Sequence, residues 1–225
     1  MNRCLGVAET SGTGEMTAVH SVPYEVEVRF HFHDPEEAYQ TLPFLQSSVE
    51  EEVQWLTRHF GVELFLVGQV LRLSEVVGPG GLRHYLGWKG PDLVRLANIR
   101  QEINEDITHG IQHSAGLERL GVQRGIRAPD VATEELERLG YREFMRFRGR
   151  NLVGYQEALG VSVKLMSCSE LAWPFLVELE KTAETKAEAD QCEAELEQLC
   201  VEFGLGNRMV RDEPPALLYV QQRQS

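Results

Sequence analysis

The chain has 225 residues, 42% of them apolar and 25% charged, with a formal net charge of −13. That is long enough and apolar enough to bury a core of ordinary size, while no apolar run is long enough to span a bilayer. The acid excess argues against nucleic acid or an anionic membrane as a partner, because both need clustered Lys and Arg.

The four cysteines (Cys4, Cys168, Cys192, Cys200) show neither CxxC pairing nor metal-ligand spacing, which suits a reducing, cytoplasmic setting. Residues 1–21 read as a flexible, small-residue and polar tail rather than a signal peptide, and 22–220 as a single domain.

In chain order, "YEVEVRFHFHD" (24–34) alternates and predicts a strand, with Glu25, Glu27, Arg29, His31 and His33 on one face and Val26, Val28, Phe30 and Phe32 on the other. "DPEEAYQTLPFLQ" follows as a helix with Ala38, Leu42 and Leu45 at helical spacing. "SSVEEEVQWLTRHFG" reads as a second helix, with Ser48 as its cap, acids in the first turn and Gly61 as its stop. The β-rich stretch 62–77 has a break at Gly68. "GPGG" is a turn, and 82–91 returns as a strand, so 69–90 forms a hairpin.

Residues 96–106 give a further strand leading into a helix near 107–121. A Gly/Arg-rich loop (121–129) precedes a short helix over 130–139 capped by Asp130. "YREFMRFRGRNLVGYQ" and "GVSVKLMS" form another hairpin, and "WPFLVELEK" one more strand. Residues 182–203 form a helix with Leu196, Leu199, Cys200 and Phe203 as its apolar stripe, and "EPPALLYV" closes the domain. The sum is an α+β domain of seven or eight antiparallel strands, with closure into a barrel open to it.

Strand parity also sorts the charges. Arg72 shares a face with Val70 and Ser74; Arg83 with Tyr85, Gly87 and Lys89; Arg100 with Glu102, Asn104 and Asp106. Arg146, Arg148 and Arg150 share another face, as do Glu178 and Glu180 with Leu176. If such a sheet closes with its charged faces inward, the acids can hold a hard divalent cation through oxygen ligands. The bases can clamp a polyphosphate. Such a lumen suits phosphoryl or nucleotidyl transfer.

This ordered set resembles the CYTH superfamily, the triphosphate tunnel enzymes that include class IV adenylate cyclases and thiamine triphosphatases. "YEVEVRF" is similar to the family's ExExK strand, with Arg29 in place of Lys. "VLRLSE…GGLRHYLGWKGP" resembles its Arg and Lys-Gly-Pro strands, "IRQEINE" its Arg/Glu strand, "FMRFRGRNLVGY" its base-x-Arg…Tyr strand, and "FLVELE" its late acidic strand. The resemblance spans roughly residues 22–220 and lies nearest class IV adenylate cyclase.

It implies a closed antiparallel β-barrel with peripheral helices, Mg²⁺ or Mn²⁺ as cofactor, and a nucleotide or other triphosphate as the small-molecule partner; a homodimer stays open. As metal ligands it implies Glu25, Glu27, Glu178 and Glu180. As substrate-binding residues it implies Arg72, Lys89, Arg100, Arg146 and Arg148, and as catalytic residues Arg29, Lys89 and Glu102. The activity it implies is adenylate cyclase-type cyclisation releasing pyrophosphate. The alternatives are a triphosphatase, a lyase or hydrolase acting on an unusual nucleotide conjugate, or a non-catalytic nucleotide sensor.

The chain departs from the family at Met166, where a metal-binding Asp is expected; Glu170 could replace that Asp only by a shift of register. His31 and His33 extend the acid row beyond the family pattern and are weighed as metal ligands against local hydrogen-bonding groups. His109 and His113, four apart, lack a third ligand and are expected at the surface.

Overall fold

The computed structural model describes residues 22–93 and 95–224, so the tail expected over 1–21, with Cys4, lies outside the described residues. The strands are β1 (Tyr24–His31), β2 (Val49–Phe60), β3 (Val70–Gly78), β4 (Gly81–Lys89), β5 (Asn98–Asp106), β6 (Glu143–Gln156), β7 (Val161–Ser167) and β8 (Phe175–Ala183). They close into an antiparallel barrel in the order β1-β5-β4-β3-β2-β6-β7-β8, which sets β2 four places from β1 in either direction, directly across the lumen.

Around them lie the helices α1 (Pro35–Thr41), α2 (Leu45–Ser48), α3 (Val62–Leu66), α4 (Ala115–Glu118), α5 (Ala132–Arg138), α6 (Lys186–Glu202) and α7 (Pro214–Gln224). None of these helices is long and apolar enough to cross a membrane.

The helix expected over 48–61 is strand β2. Its pattern is period two, with Val53, Trp55, Thr57 and His59 facing the lumen, and its β-branched and aromatic residues favour a pleated surface. The Ser48 hydroxyl donates to the Phe44 carbonyl, so it closes α2 rather than opening a helix. Of the strand expected from 62, the first residues form α3; the break at Gly68 holds, with φ of 81°.

The helix expected near 107–121 shortens to α4, a single turn capped by Ser114. Asp130 does not cap α5: it lies in a 3-10 turn over Pro129–Val131, and Val131 stands at the N-cap without a side-chain bond. The other strands fall close to where their periodicity placed them; of the helix expected over 182–203, the first residues extend β8 and α6 begins at Lys186, capped by Thr185.

Helices cover only part of the barrel. Val26, Val28 and Phe30 on the outer face of β1, with Val177 and Leu179 of β8, are buried against Leu42, Leu45, Leu196, Leu199 and Cys200. A second cluster seats Leu71 and Leu86 against Leu117 and Leu136. The outer faces of β2 and β6 instead meet water, through Glu52, Gln54, Arg146, Arg148 and Arg150. One barrel end is crossed by the C-terminal segment: the Val210 amide donates to the Arg29 carbonyl at 2.8 Å, and Pro214 and Pro215 line the lumen beyond it. There Met145, Phe147, Met166 and Leu176 pack with Leu218 of α7.

Candidate active site in the barrel lumen

The lumen is a cavity of about 540 Å³ lined by six acids (Glu25, Glu27, Glu102, Glu178, Glu180, Glu213) and four bases (Arg29, Arg72, Lys89, Lys164). Among the described residues, acids thus outnumber bases by two; with every carboxyl ionised the lining would repel a polyanion, so a bound cation or protons must offset the excess.

The carboxylate oxygens of Glu25, Glu27 and Glu180 lie within 4.8 Å of one another. Burial pushes the Glu25 carboxyl up to about 7, with Lys89 opposing and Glu102 adding to the rise. Burial likewise raises Glu27 and Glu180, against the pull of Arg29 and Lys89 on Glu27. Three crowded, under-compensated carboxylates of this kind fit a hard divalent cation, whose charge would replace the protons they otherwise hold.

Glu178, expected among the ligands, is held differently. It accepts from Arg29 Nε at 2.6 Å and from Lys164 Nζ at 2.6 Å. Burial alone would raise its carboxyl, but Lys164 and Arg29 hold it at about 2. The carboxylates that the geometry brings together as a candidate cation site are thus Glu25, Glu27 and Glu180. Arg29 also binds the Glu27 carboxylate, Asn98 Oδ1 at 3.2 Å and the Asp212 carbonyl at 3.3 Å. Almost wholly buried, it fixes the acids of two strands and the C-terminal segment rather than presenting a free guanidinium.

Lys89 stands 2.5 Å from Glu25, 2.8 Å from Glu102 and 3.6 Å from Glu213. Burial would lower its ammonium pKa, but these acids together raise it, so it stays charged. Arg72 donates through Nη2 to Glu102 at 2.8 Å, while its buried Nε has no partner. Its stem lies across Gly87, where a Cβ would come within 2.7 Å of Nε; the glycine leaves room for the guanidinium. Arg100 shares the lumen-side parity but does not line the cavity; it pairs with Glu213 at 3.4 Å and Asp92 at 3.6 Å.

Arg146 and Arg148 are corrections. On β6 the lumen receives Phe147 and Asn151, so the even-numbered arginines point outward and are exposed. Arg146 pairs with Glu143 at 2.5 Å, and Arg150 lies 3.7 Å from Glu52. Helices reach this outer face only at its ends, where Phe144 packs on Phe65 of α3 and Tyr219 of α7, so the arginines between them meet water and the apolar side chains there turn inward. Glu170 does not replace the expected Asp, because its carboxylate accepts from the Arg148 amide outside the lumen, while Met166 does line the cavity. His31 stacks on Trp173 with ring centres 5.3 Å apart, and His33 is exposed; neither lines the lumen. His109 and His113 are exposed as expected, though not on a helix.

Lys164, His59, Trp55 and Glu213 are site residues that the sequence reading missed. Lys164 carries a signal in the parity of "VSVKLMS", and His59 and Trp55 in the alternation of "VQWLTRHF". Glu213 has none: it is the second of two adjacent acids before two prolines, buried between Lys89 and Arg100, which with Arg29 and Arg72 outweigh its burial and hold its carboxyl low.

No protein-family model matches the sequence, and no curated protein does. Solved structures share its fold. The PH1819 protein of Pyrococcus horikoshii OT3 matches at a TM-score of 0.66 and 20% identity, over 88% of this chain and 99% of that one. A "putative adenylate cyclase" of Vibrio parahaemolyticus matches at 0.60 and 16%, over 87% and 98%. HpAC1 of Hippeastrum, a "putative adenylyl cyclase" described as having a dominant triphosphatase activity, matches at 0.57 and 16%, over 88% and 96%. At these identities the likeness is one of fold, and the closed antiparallel barrel with peripheral helices is the architecture expected from the sequence.

Proposed function

We infer that this protein is a divalent-metal-dependent enzyme acting on a triphosphate inside its barrel, with cyclisation of a nucleoside triphosphate as the leading reaction. The observation that carries this reading is the convergence of Glu25, Glu27 and Glu180 beside Lys89 and Arg72 in one enclosed cavity. Those three acids would hold Mg²⁺ or Mn²⁺, which when bound neutralises phosphate charge and polarises the phosphorus.

Lys89 and the unpartnered Nε of Arg72 would bind phosphate oxygens, and Glu102, ion-paired to both, orients them. In the cyclase reaction the ribose 3′-oxygen attacks the α-phosphorus, the bond from that phosphorus to the bridging oxygen breaks, and pyrophosphate leaves. Glu102, kept ionised despite its burial by Lys89 and Arg72, accepts the hydroxyl proton. Arg29 serves by position, holding Glu27 in place.

A second reading, hydrolysis at the γ-phosphorus, is favoured by the triphosphatase activity described for HpAC1, which shares the fold. In that reaction water attacks the γ-phosphorus, and orthophosphate and a diphosphate result. Incubation with nucleoside triphosphates, thiamine triphosphate and inorganic tripolyphosphate, each with Mg²⁺ or Mn²⁺, and mass spectrometry of the products separates the cases. Cyclic nucleotide with pyrophosphate supports the cyclase, and orthophosphate with a diphosphate the triphosphatase. Tight binding without turnover would overturn both in favour of a sensor.

A further inference from the structure

Charged side chains enter the lumen from six of the eight strands, and only the adjacent pair β2 and β6 brings none. Across from β1, the inward residues of β2 are Val53, Trp55, Thr57 and His59, joined by Phe147 of β6, and none of these carries a full charge. His59 is 2% exposed yet lines the cavity. Among the described residues, its Nδ1 is buried without a hydrogen-bond partner.

Burial, reinforced by the nearby Arg72 guanidinium, pushes the His59 imidazolium pKa down to about 3, so the ring is neutral and offers one donor and one acceptor. It stacks on Phe147, with centroids 5.4 Å apart and planes at 12°. Trp55 meets the same Phe147 edge-on at 5.3 Å, and its Nε1 is tied to Asn151 at 2.8 Å. Trp55 also lies over Gly149, where a Cβ would come within 2.5 Å of the indole, so the backbone leaves room for it. A buried polar ring with an unmet hydrogen bond, set in an aromatic wall, is costly unless something completes it.

We propose that this β2–β6 wall is the subsite for a neutral planar ring on the substrate, and that His59 is the residue that reads the ring by hydrogen bonding. The proposal rests on the metal and triphosphate reading above: the phosphates lie along the charged strands, and the ring lies against β2 and β6, beginning where His59 stands beside Arg72 on the neighbouring strand. It selects a triphosphate carrying a heteroaromatic group over inorganic tripolyphosphate.

The test measures dissociation constants by calorimetry, with Mn²⁺ present, for ATP, GTP, CTP, UTP and inorganic tripolyphosphate. Adenosine, guanosine, cytidine and uridine are run beside them without metal. At least one ring-bearing triphosphate is expected to bind about tenfold or more tighter than tripolyphosphate. His59→Phe, which keeps the stacking and removes the ring nitrogens, is expected to abolish most of that difference and leave tripolyphosphate affinity unchanged, which also reports an intact fold.

Equal affinity for all five anions, or an equal loss for tripolyphosphate in His59→Phe, overturns the ring subsite while the triphosphate reading stands. If no anion binds but a nucleoside does, and His59→Phe weakens it, the subsite stands and the triphosphate reading falls. Binding of none of these compounds overturns both.

Discussion

β1 and β2 lie opposite one another in the same barrel and are built inside out relative to each other. β1 sends Glu25, Glu27 and Arg29 inward and Val26, Val28 and Phe30 outward, under α6 and the α1–α2 region. β2 sends Val53, Trp55, Thr57 and His59 inward and Glu52, Gln54 and Arg58 outward, where Arg58 pairs with Glu75 at 2.8 Å. Alternation is the same in both; what differs is how far helices cover the outside, which on β2 they do only at its end, where Arg58 donates to Thr133 and Phe60 packs with Leu136 of α5. A covered strand can place its charges only in the lumen, whereas a bare strand can leave them in water at little cost. The result is a cavity charged along six strands and uncharged, with aromatic rings, along β2 and β6.

The largest effect should come from breaking the charged wall at its most buried member. Arg29→Met strands Glu27 and Glu178 without a guanidinium and should cost about 3–5 kcal/mol of stability, read by urea unfolding. A loss as small as that of a surface arginine would mean that the wall does not depend on Arg29.

Next, Glu25→Ala should reduce metal-dependent turnover by about 100-fold or more while the protein remains folded by circular dichroism. Retained turnover would move the metal away from β1.

The aromatic wall offers a pH test. Unfolded His59 takes up a proton near pH 6.5, and the folded residue only near pH 3. Between these values the unfolded state binds more protons, so this contribution is fully present above about pH 6.5. It is lost as pH falls toward 3, by up to about 1.4 kcal/mol per pH unit. Wild type should therefore lose stability faster than His59→Phe over this range; parallel curves would show that the imidazole is not held neutral.

The smallest effect belongs to the bare outer face. Arg146→Ala and Arg148→Ala should each change stability by no more than about 0.5 kcal/mol and leave turnover unaltered. A large loss of activity in either would return β6 to the charged wall.

Much of this was legible because strand parity is a local property. The row Glu25, Glu27, Arg29 and the faces holding Arg72, Lys89 and Glu102 followed from two-residue spacing, and all of these line the lumen. The same rule misled at β6, where parity correctly grouped Arg146 with Arg148 but gave no sign of which way the group turned. At 48–61, three consecutive acids after two serines imitate a helix start, and they hid an alternation that begins at Val53. The exclusive hold of Lys164 and Arg29 on Glu178 depends on neighbouring strands meeting in register, Lys164 opposite Glu178 and Arg29 opposite Glu178, which no single segment encodes.

By itself, then, the sequence determined the strand faces, the acid row and the bases able to accompany it, because a pleated strand separates its side chains by residue number alone. Tertiary structure decided which faces look inward, which acids crowd together, and that Glu213 lies between Lys89 and Arg100. These are questions of what covers a face and what stands opposite a charge, and segments far apart in the chain answer them only when the barrel closes.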